Sequence, residues 1–123
     1  MSELNLDMFF RFSSANIVQR GIKYYRTKRV KIKHIDSKFA QMEVVGSASY
    51  PYTVMMHFGK QSKPYPFQIL CDCPHAYSMP MMLCKHKVAS LLALRDYKTE
   101  NPTIDWRSIL DSTRSKESAS KIQ

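Results

Sequence analysis

The three cysteines of this chain and one of its four histidines occupy a single short stretch of sequence. Cys71 and Cys73 are one residue apart, ten residues follow, and Cys84 and His86 are again one residue apart. Three thiolates and one imidazole form a complete tetrahedral ligand set for Zn²⁺. An odd number of cysteines cannot all pair within one chain, and the first two are too close for an easy bridge. The pattern therefore predicts a zinc site rather than a disulfide.

The spacing of these ligands also predicts the elements that hold them. Side chains two apart in an extended segment share a face, so the first two sulfurs point to one side and Asp72 points away. On one continuous helix, Cys84 and His86 would diverge by about 200°. Both can bind one ion only if Cys84 precedes the helix and His86 lies in its first turn, where the helix N-terminus favours a thiolate. We expect the spacer, residues 74–83, to be a loop that closes over the site.

Two alternatives to this ligand set and its role remain. His75 is two residues from Cys73 and competes with His86 as the fourth ligand, although we expect it at the surface. A redox role for the C-x-C pair would be blocked by bound zinc. Four protein ligands close the coordination shell, which indicates a structural rather than a catalytic ion. Apart from this cluster, the sequence has no recognisable triad or paired carboxylates, and three glycines exclude a Gly-rich phosphate cradle, so we expect no enzyme activity.

The segment before these ligands is predicted to be helical. Residues 1–12 are rich in apolar side chains and indicate a short helix packed on the core. Ser13 or Ser14 is the predicted N-cap of a longer helix, Ala15–Arg26. Gly21 within that helix costs about 1 kcal/mol relative to alanine. A close backbone contact at this position would justify that cost.

The middle of the chain has the alternating pattern of β-strands. The residues expected on the buried face of three successive strands are Val30, Ile32 and His34, then Ala40, Met42 and Val44, then Tyr52, Val54, Met56 and Phe58. A fourth strand, Phe67–Leu70, runs into the first cysteine. From Met81 onward the apolar residues again have helical spacing. This predicts a helix from about Cys84 or Lys85 to Tyr97, followed by a last short helix after Thr103.

These elements predict an α+β fold. It has an N-terminal helix, a small antiparallel sheet of three or four strands, and a zinc site that joins the sheet end to a C-terminal helix. With 123 residues, we expect one domain over 1–110, with its core at 14–97, and a disordered polar tail over 111–123. No apolar run reaches the length of a membrane span and there is no secretory signal. We therefore expect an intracellular protein of the cytoplasm, nucleoid or nucleus.

The charge of the chain favours an acidic partner. Lys and Arg number 19 against 10 acidic residues, a formal charge of +9 that zinc binding changes to about +8. No acidic residue occurs from Met8 to Ile35. The candidate nucleic-acid-binding residues are Arg20, Lys23, Arg26, Lys28, Arg29, Lys31 and Lys33. Further candidates are Lys60, Lys63, Lys85 and Lys87, with Tyr50, Tyr52 and Tyr65 as surfaces on which bases stack. We expect salt-dependent, sequence-tolerant DNA binding.

Two other interpretations of the same surface stay open. The basic residues can be ordinary solvated side chains, with the tyrosines in the core. Alternatively, the chain is a protein-interaction adaptor without direct nucleic-acid contact. Its apolar surface would then be formed by methionines, which adapt to different partners. The candidates are Met55, Met56, Met79, Met81 and Met82.

The C-x-C and C-x-H pairs follow a predicted strand and precede an apolar helix. This arrangement resembles the SWIM zinc finger. The resemblance covers roughly residues 14–95 and includes the helical continuation at 87–92 and the upstream Gly21 and Tyr24-Tyr25. Members of that family are attached to Swi/Snf-type ATPases, Mutator-like transposases, some ubiquitin ligases and recombination proteins. The resemblance implies a Zn²⁺-binding module for DNA or protein contacts. From the resemblance we expect either the N-terminal module of a bacterial Swi/Snf-type helicase-like ATPase or a stand-alone member of the family.

Overall fold

The computed structural model describes residues 6–11, 13–47, 49–59, 67–74 and 83–103. Three helices and four strands follow one another in these residues. They are α1 (Leu6–Phe10), α2 (Ala15–Arg26), β1 (Val30–Ile35), β2 (Phe39–Val44), β3 (Tyr52–His57), β4 (Gln68–Cys71) and α3 (Lys85–Glu100). The strands form one antiparallel sheet in the order β1-β2-β3-β4. The predicted α+β class is confirmed, whereas the helix expected after Thr103 and the polar tail lie outside the described residues.

The helix α2 has the bounds that its sequence predicts. The backbone N–H of Ile17 donates to the Ser14 hydroxyl at 3.2 Å, so Ser14 is the N-cap. At the other end, the chain leaves the helix through Lys28, which has a left-handed φ of 59°. Before α2, the short helix α1 buries Leu6 and Phe9 against the core, as expected for the apolar N-terminal segment.

The sheet buries one face, and the alternation predicted for β2 and β3 is confirmed. Met42 lies opposite Val54 and Ala40 opposite Met56, and all four side chains are buried. The prediction for β1 is wrong beyond Ile32. Its register with β2 shifts there, so the strand carries one extra residue. This bulge reverses the alternation: His34 is exposed.

The helix α3 is the centre of the fold. It crosses all four strands on one side and packs against α2 on the other. Every residue from His86 to Leu94 is buried. The two helices approach closely at Gly21, where a Cβ would lie 2.3 Å from a methyl carbon of Val88. Gly21 is thus required by a close helix contact, and α3 continues to Glu100 rather than ending at Tyr97.

None of the helices in the described part of the chain is long and apolar enough to cross a membrane.

Candidate metal centre and basic groove

The fold brings the four predicted ligands together. One donor atom from each of Cys71, Cys73, Cys84 and His86 lies within 4.8 Å of all the others. The imidazole Nδ1 is 3.8 Å from the Cys71 sulfur and 3.9 Å from the Cys84 sulfur. Tetrahedral zinc with metal–sulfur bonds of about 2.3 Å needs donor separations of about 3.5–3.8 Å. The cluster could therefore hold a metal ion once its widest donor separation shortens by about 1 Å. The competing ligand His75 lies outside the described residues.

The strand end presents the first two sulfurs as the C-x-C spacing predicts. Cys71 is the last residue of β4 and Cys73 is buried, while the side chain of Asp72 is exposed. The Asp72 carboxylate accepts a hydrogen bond from the backbone N–H of Thr53 at 2.9 Å. Its own N–H donates to the Thr53 carbonyl at 3.3 Å. These two hydrogen bonds attach the segment between Cys71 and Cys73 to β3. The sequence analysis did not predict this attachment.

The helix start presents the other two ligands. Cys84 is the N-cap of α3 with an extended backbone, and His86 lies in the first turn. This is the arrangement that lets two residues of a C-x-H pair face one point. The Cys84 carbonyl accepts the first intrahelical hydrogen bond, which the backbone N–H of Val88 donates at 3.0 Å.

A hydrogen bond between two of the cluster thiols shifts the pKa values of both. A hydrogen bond from the Cys71 thiol, together with His86 and the backbone N–H of Lys87, lowers the pKa of Cys84. The same hydrogen bond to Cys84, reinforced by burial, raises the pKa of Cys71. The proton of that hydrogen bond relieves the repulsion that a pair of adjacent buried thiolates would have. A divalent cation can replace that proton and hold all three sulfurs as thiolates.

His86 is oriented by aromatic packing. Its ring centroid lies 4.6 Å from that of Tyr52 and 5.7 Å from that of Tyr24. Its second nitrogen, Nε2, is buried without a hydrogen-bond partner in the described residues. A Cβ at Gly46 would lie 3.3 Å from that nitrogen, so the glycine leaves room for the ring. Packing against the two tyrosines orients the His86 ring. In most metal-binding histidines a hydrogen-bonded neighbour has this role.

Lys87 is buried, so its prediction as a surface cation is wrong. Its side chain is only 1% exposed, so it cannot belong to an outer basic surface. Burial lowers its pKa, and the charges of the Cys84, Cys71 and Cys73 thiolates oppose that shift. Three thiolates and a divalent ion carry a formal charge of −1, which a lysine ammonium beside them offsets. No pattern in the sequence distinguishes this lysine from the exposed ones.

The structure divides the predicted nucleic-acid-binding residues into two groups. Arg20, Lys23 and Arg29 meet Lys85 and Tyr24 in one depression of about 280 Å³, which we call the basic groove. Of the other predicted residues, Arg26 at the end of α2 shares a second depression with Arg20 and Lys23. Lys28 in the turn and Lys31 and Lys33 on the edge strand β1 are exposed elsewhere. Lys60, Lys63 and Tyr65 lie outside the described residues.

The basic groove is built around one aromatic ring. The Arg29 guanidinium lies 4.9 Å from the Tyr24 ring centroid, and the Lys85 ammonium lies 5.6 Å from the same centroid. Arg29 is also held by hydrogen bonds to the Thr27 hydroxyl and to the Val45 carbonyl, both at 3.2 Å. Within the described parts of the chain, no carboxylate pairs with any of the groove cations.

Two of the five methionines expected on the surface of a protein adaptor lie in the described residues, and neither is fully exposed. Met56 is fully buried in the core and Met55 is half-buried. Met79, Met81 and Met82 lie outside the described residues.

Comparison of the chain with protein-family models, with curated proteins and with solved structures finds no match.

Proposed function

We propose that this chain is a zinc-stabilised module that binds nucleic acid, with DNA as the expected partner, and that the ion is structural. The single observation that carries the proposal is the position of Lys85. It lies between two ligands of the candidate metal centre and also lines the basic groove. A metal ion that fixes the start of α3 therefore also fixes one side of a cationic surface.

The donor set supports zinc as the ion. Three thiolates and one imidazole are typical of structural zinc sites, and thiolate-rich sites disfavour Mg²⁺ and Ca²⁺. Four protein donors leave no open coordination position, which supports a binding role without catalysis. The ligand order, the strand that precedes it and the helix that follows it support assignment to the SWIM type.

The separation of charges supports a nucleic-acid partner. α2 carries cations at Arg20, Lys23 and Arg26 and no acidic residue. The carboxylates of the described residues lie on α1, the β1–β2 hairpin, the β4 end and the last half of α3. Phosphates are attracted to such an unpaired cationic face, and neutralising them releases counterions.

The test is binding of the zinc-loaded full chain to a fluorescein-labelled DNA of mixed sequence, followed by anisotropy. Between about 50 and about 200 mM salt, we expect affinity to fall steeply. The logarithm of the association constant should fall linearly with the logarithm of the salt concentration, with a slope of about −0.7 to −0.9 for each phosphate contacted. A second arm removes the zinc with a chelator, which we expect to abolish binding together with the fold of α3. Affinity that does not change with salt, or no binding at micromolar protein, would contradict the proposal.

A further inference from the structure

We propose that the partner is single-stranded nucleic acid, with a phosphate held in the basic groove and a neighbouring base stacked on Tyr50. This inference rests on the proposed function and narrows it from nucleic acid in general to an unpaired strand.

The basic groove has the properties of a phosphate site. Four cations from three separate segments converge there: Arg20 and Lys23 from α2, Arg29 from the turn before β1, and Lys85 from the start of α3. Arg29 uses two of its N–H donors on the protein and keeps the remaining donors for a ligand. A guanidinium fixed in this way binds phosphate with little loss of side-chain entropy.

The groove continues toward the loop before β3. Arg20 and Lys85 also line a cavity of about 340 Å³ at the candidate metal centre, which is lined as well by the ligands Cys73, Cys84 and His86 and by Ser47 and Tyr52. The ring of Tyr50 packs edge-on against Tyr52, with centroids 6.4 Å apart. Tyr50 therefore lies one aromatic ring away from the cavity at the metal centre that two of the four groove cations, Arg20 and Lys85, also line.

Tyr50 has the exposure that base stacking needs. It is 65% exposed, and it is the one aromatic among the exposed large apolar side chains of the described residues. Its neighbours Ser49 and Pro51 are exposed as well, so the ring is open to a ligand. Tyr52, by contrast, is half-buried against His86 and is not free to stack on a base.

The combination favours a single strand over a duplex. A cationic groove beside an exposed aromatic ring is the usual arrangement in proteins that bind unpaired strands, because every unpaired base offers a face for stacking. In a duplex those faces are covered by neighbouring bases, and the exposed tyrosine would add little. The edge-strand lysines are a weaker phosphate site, since Lys33 pairs with Glu43 at 3.9 Å and Lys31 lies opposite Glu43 in the sheet.

The experiment measures anisotropy of the zinc-loaded full chain with one labelled strand of about 12 nucleotides, a length within the range of single-strand sites. The same strand is measured as a duplex. We expect the single strand to bind at least about tenfold more tightly. Tyr50→Ala should weaken single-strand binding by about fivefold or more, whereas Tyr50→Phe, which keeps the ring, should bind like the wild type.

A matched pair of double variants tests the groove. Arg20→Gln with Lys85→Gln removes two groove charges, and Lys31→Gln with Lys33→Gln removes two from the edge strand. We expect the groove variant to lose about tenfold in affinity, with a salt slope shallower by about 1–2, and the edge variant to lose less than about threefold. Circular dichroism and zinc content of each variant confirm that it is folded.

The outcomes separate this inference from the proposed function. Duplex binding as tight as single-strand binding, an unchanged affinity for Tyr50→Ala, or equal losses in the two double variants would overturn the inference and leave nucleic-acid binding intact. No binding of either nucleic acid at low salt would overturn the proposed function itself.

Discussion

Replacing Gly21 by alanine separates two opposing effects at the contact between α2 and α3. Helix propensity alone predicts a gain of about 1 kcal/mol in the free energy of unfolding. The added Cβ, however, would lie 2.3 Å from Val88 Cγ1, 2.4 Å from Val88 Cβ and 3.0 Å from the Lys85 carbonyl oxygen. Ordinary carbon contacts are about 3.5–4.0 Å, so the helices must separate by more than about 1 Å.

The net effect is expected to be destabilising. Overpacking of a filled core costs about 1–3 kcal/mol, and the upper half of that range applies because a buried β-carbon and a backbone oxygen are the obstacles. After the propensity gain, Gly21→Ala should lower the free energy of unfolding by about 1–2 kcal/mol. Since Lys85 and Val88 flank His86, the displacement should also weaken zinc binding.

Urea denaturation of the zinc-loaded full chain measures this change. Gly59→Ala is the matched control, because nothing lies within 4 Å of the Cβ it would add, and it should stay within about 0.5 kcal/mol of the wild type. Combining Gly21→Ala with Val88→Ala removes the obstacle at Val88 Cγ1, although the one at Val88 Cβ stays, so the two changes together should cost less than the sum of the single changes. A Gly21→Ala protein that is more stable by about 1 kcal/mol would refute the close contact and its role.

Three further predictions concern the metal centre and the hairpin. Chelation should unfold at least the C-terminal half of the chain, because structural zinc contributes about 10–16 kcal/mol, as much as the whole stability of a typical domain; unchanged far-UV circular dichroism would contradict this. Asp72→Ala removes the acceptor for the Thr53 N–H and should weaken zinc binding about tenfold in a competition titration, while Asp72→Asn keeps an acceptor and most of the affinity. The hydrogen bond from His34, with the backbone N–H groups of Phe39 and Lys38, lowers the pKa of Asp36 from 3.8 to about 2. The turn should therefore keep this stabilisation above about pH 4 and lose it as the pH falls through about 2, which NMR titration of the carboxyl carbon checks; a midpoint near 3.8 would contradict it.

Local rules were sufficient to predict the elements that hold the ligands. The placement of Cys84 before α3 and His86 in its first turn followed from the angular step of a helix, and the structure has that arrangement. The start of α2 followed from serine capping. Alternation gave the buried faces of β2 and β3 because each strand keeps its register with its neighbour.

Other features depend on contacts between distant segments, which a single sequence does not reveal. The bulge in β1 arises from pairing with β2, so alternation alone put His34 on the wrong face. Lys87 is buried because α3 is covered by the sheet and by α2, while its side-chain type indicated a surface position. The basic groove likewise requires Arg29 and Lys85 to meet at Tyr24, although they lie far apart in the chain.

The central claim is that one zinc ion, bound by Cys71, Cys73, Cys84 and His86, joins the end of the sheet to α3. Native mass spectrometry of the full chain, purified under reducing conditions with zinc, tests it most directly. We predict one ion per chain, a mass that accounts for the loss of the three thiol protons, and no retained ion after Cys73→Ser with Cys84→Ser. A folded chain that retains no zinc, or equal retention by that double variant, would contradict the claim.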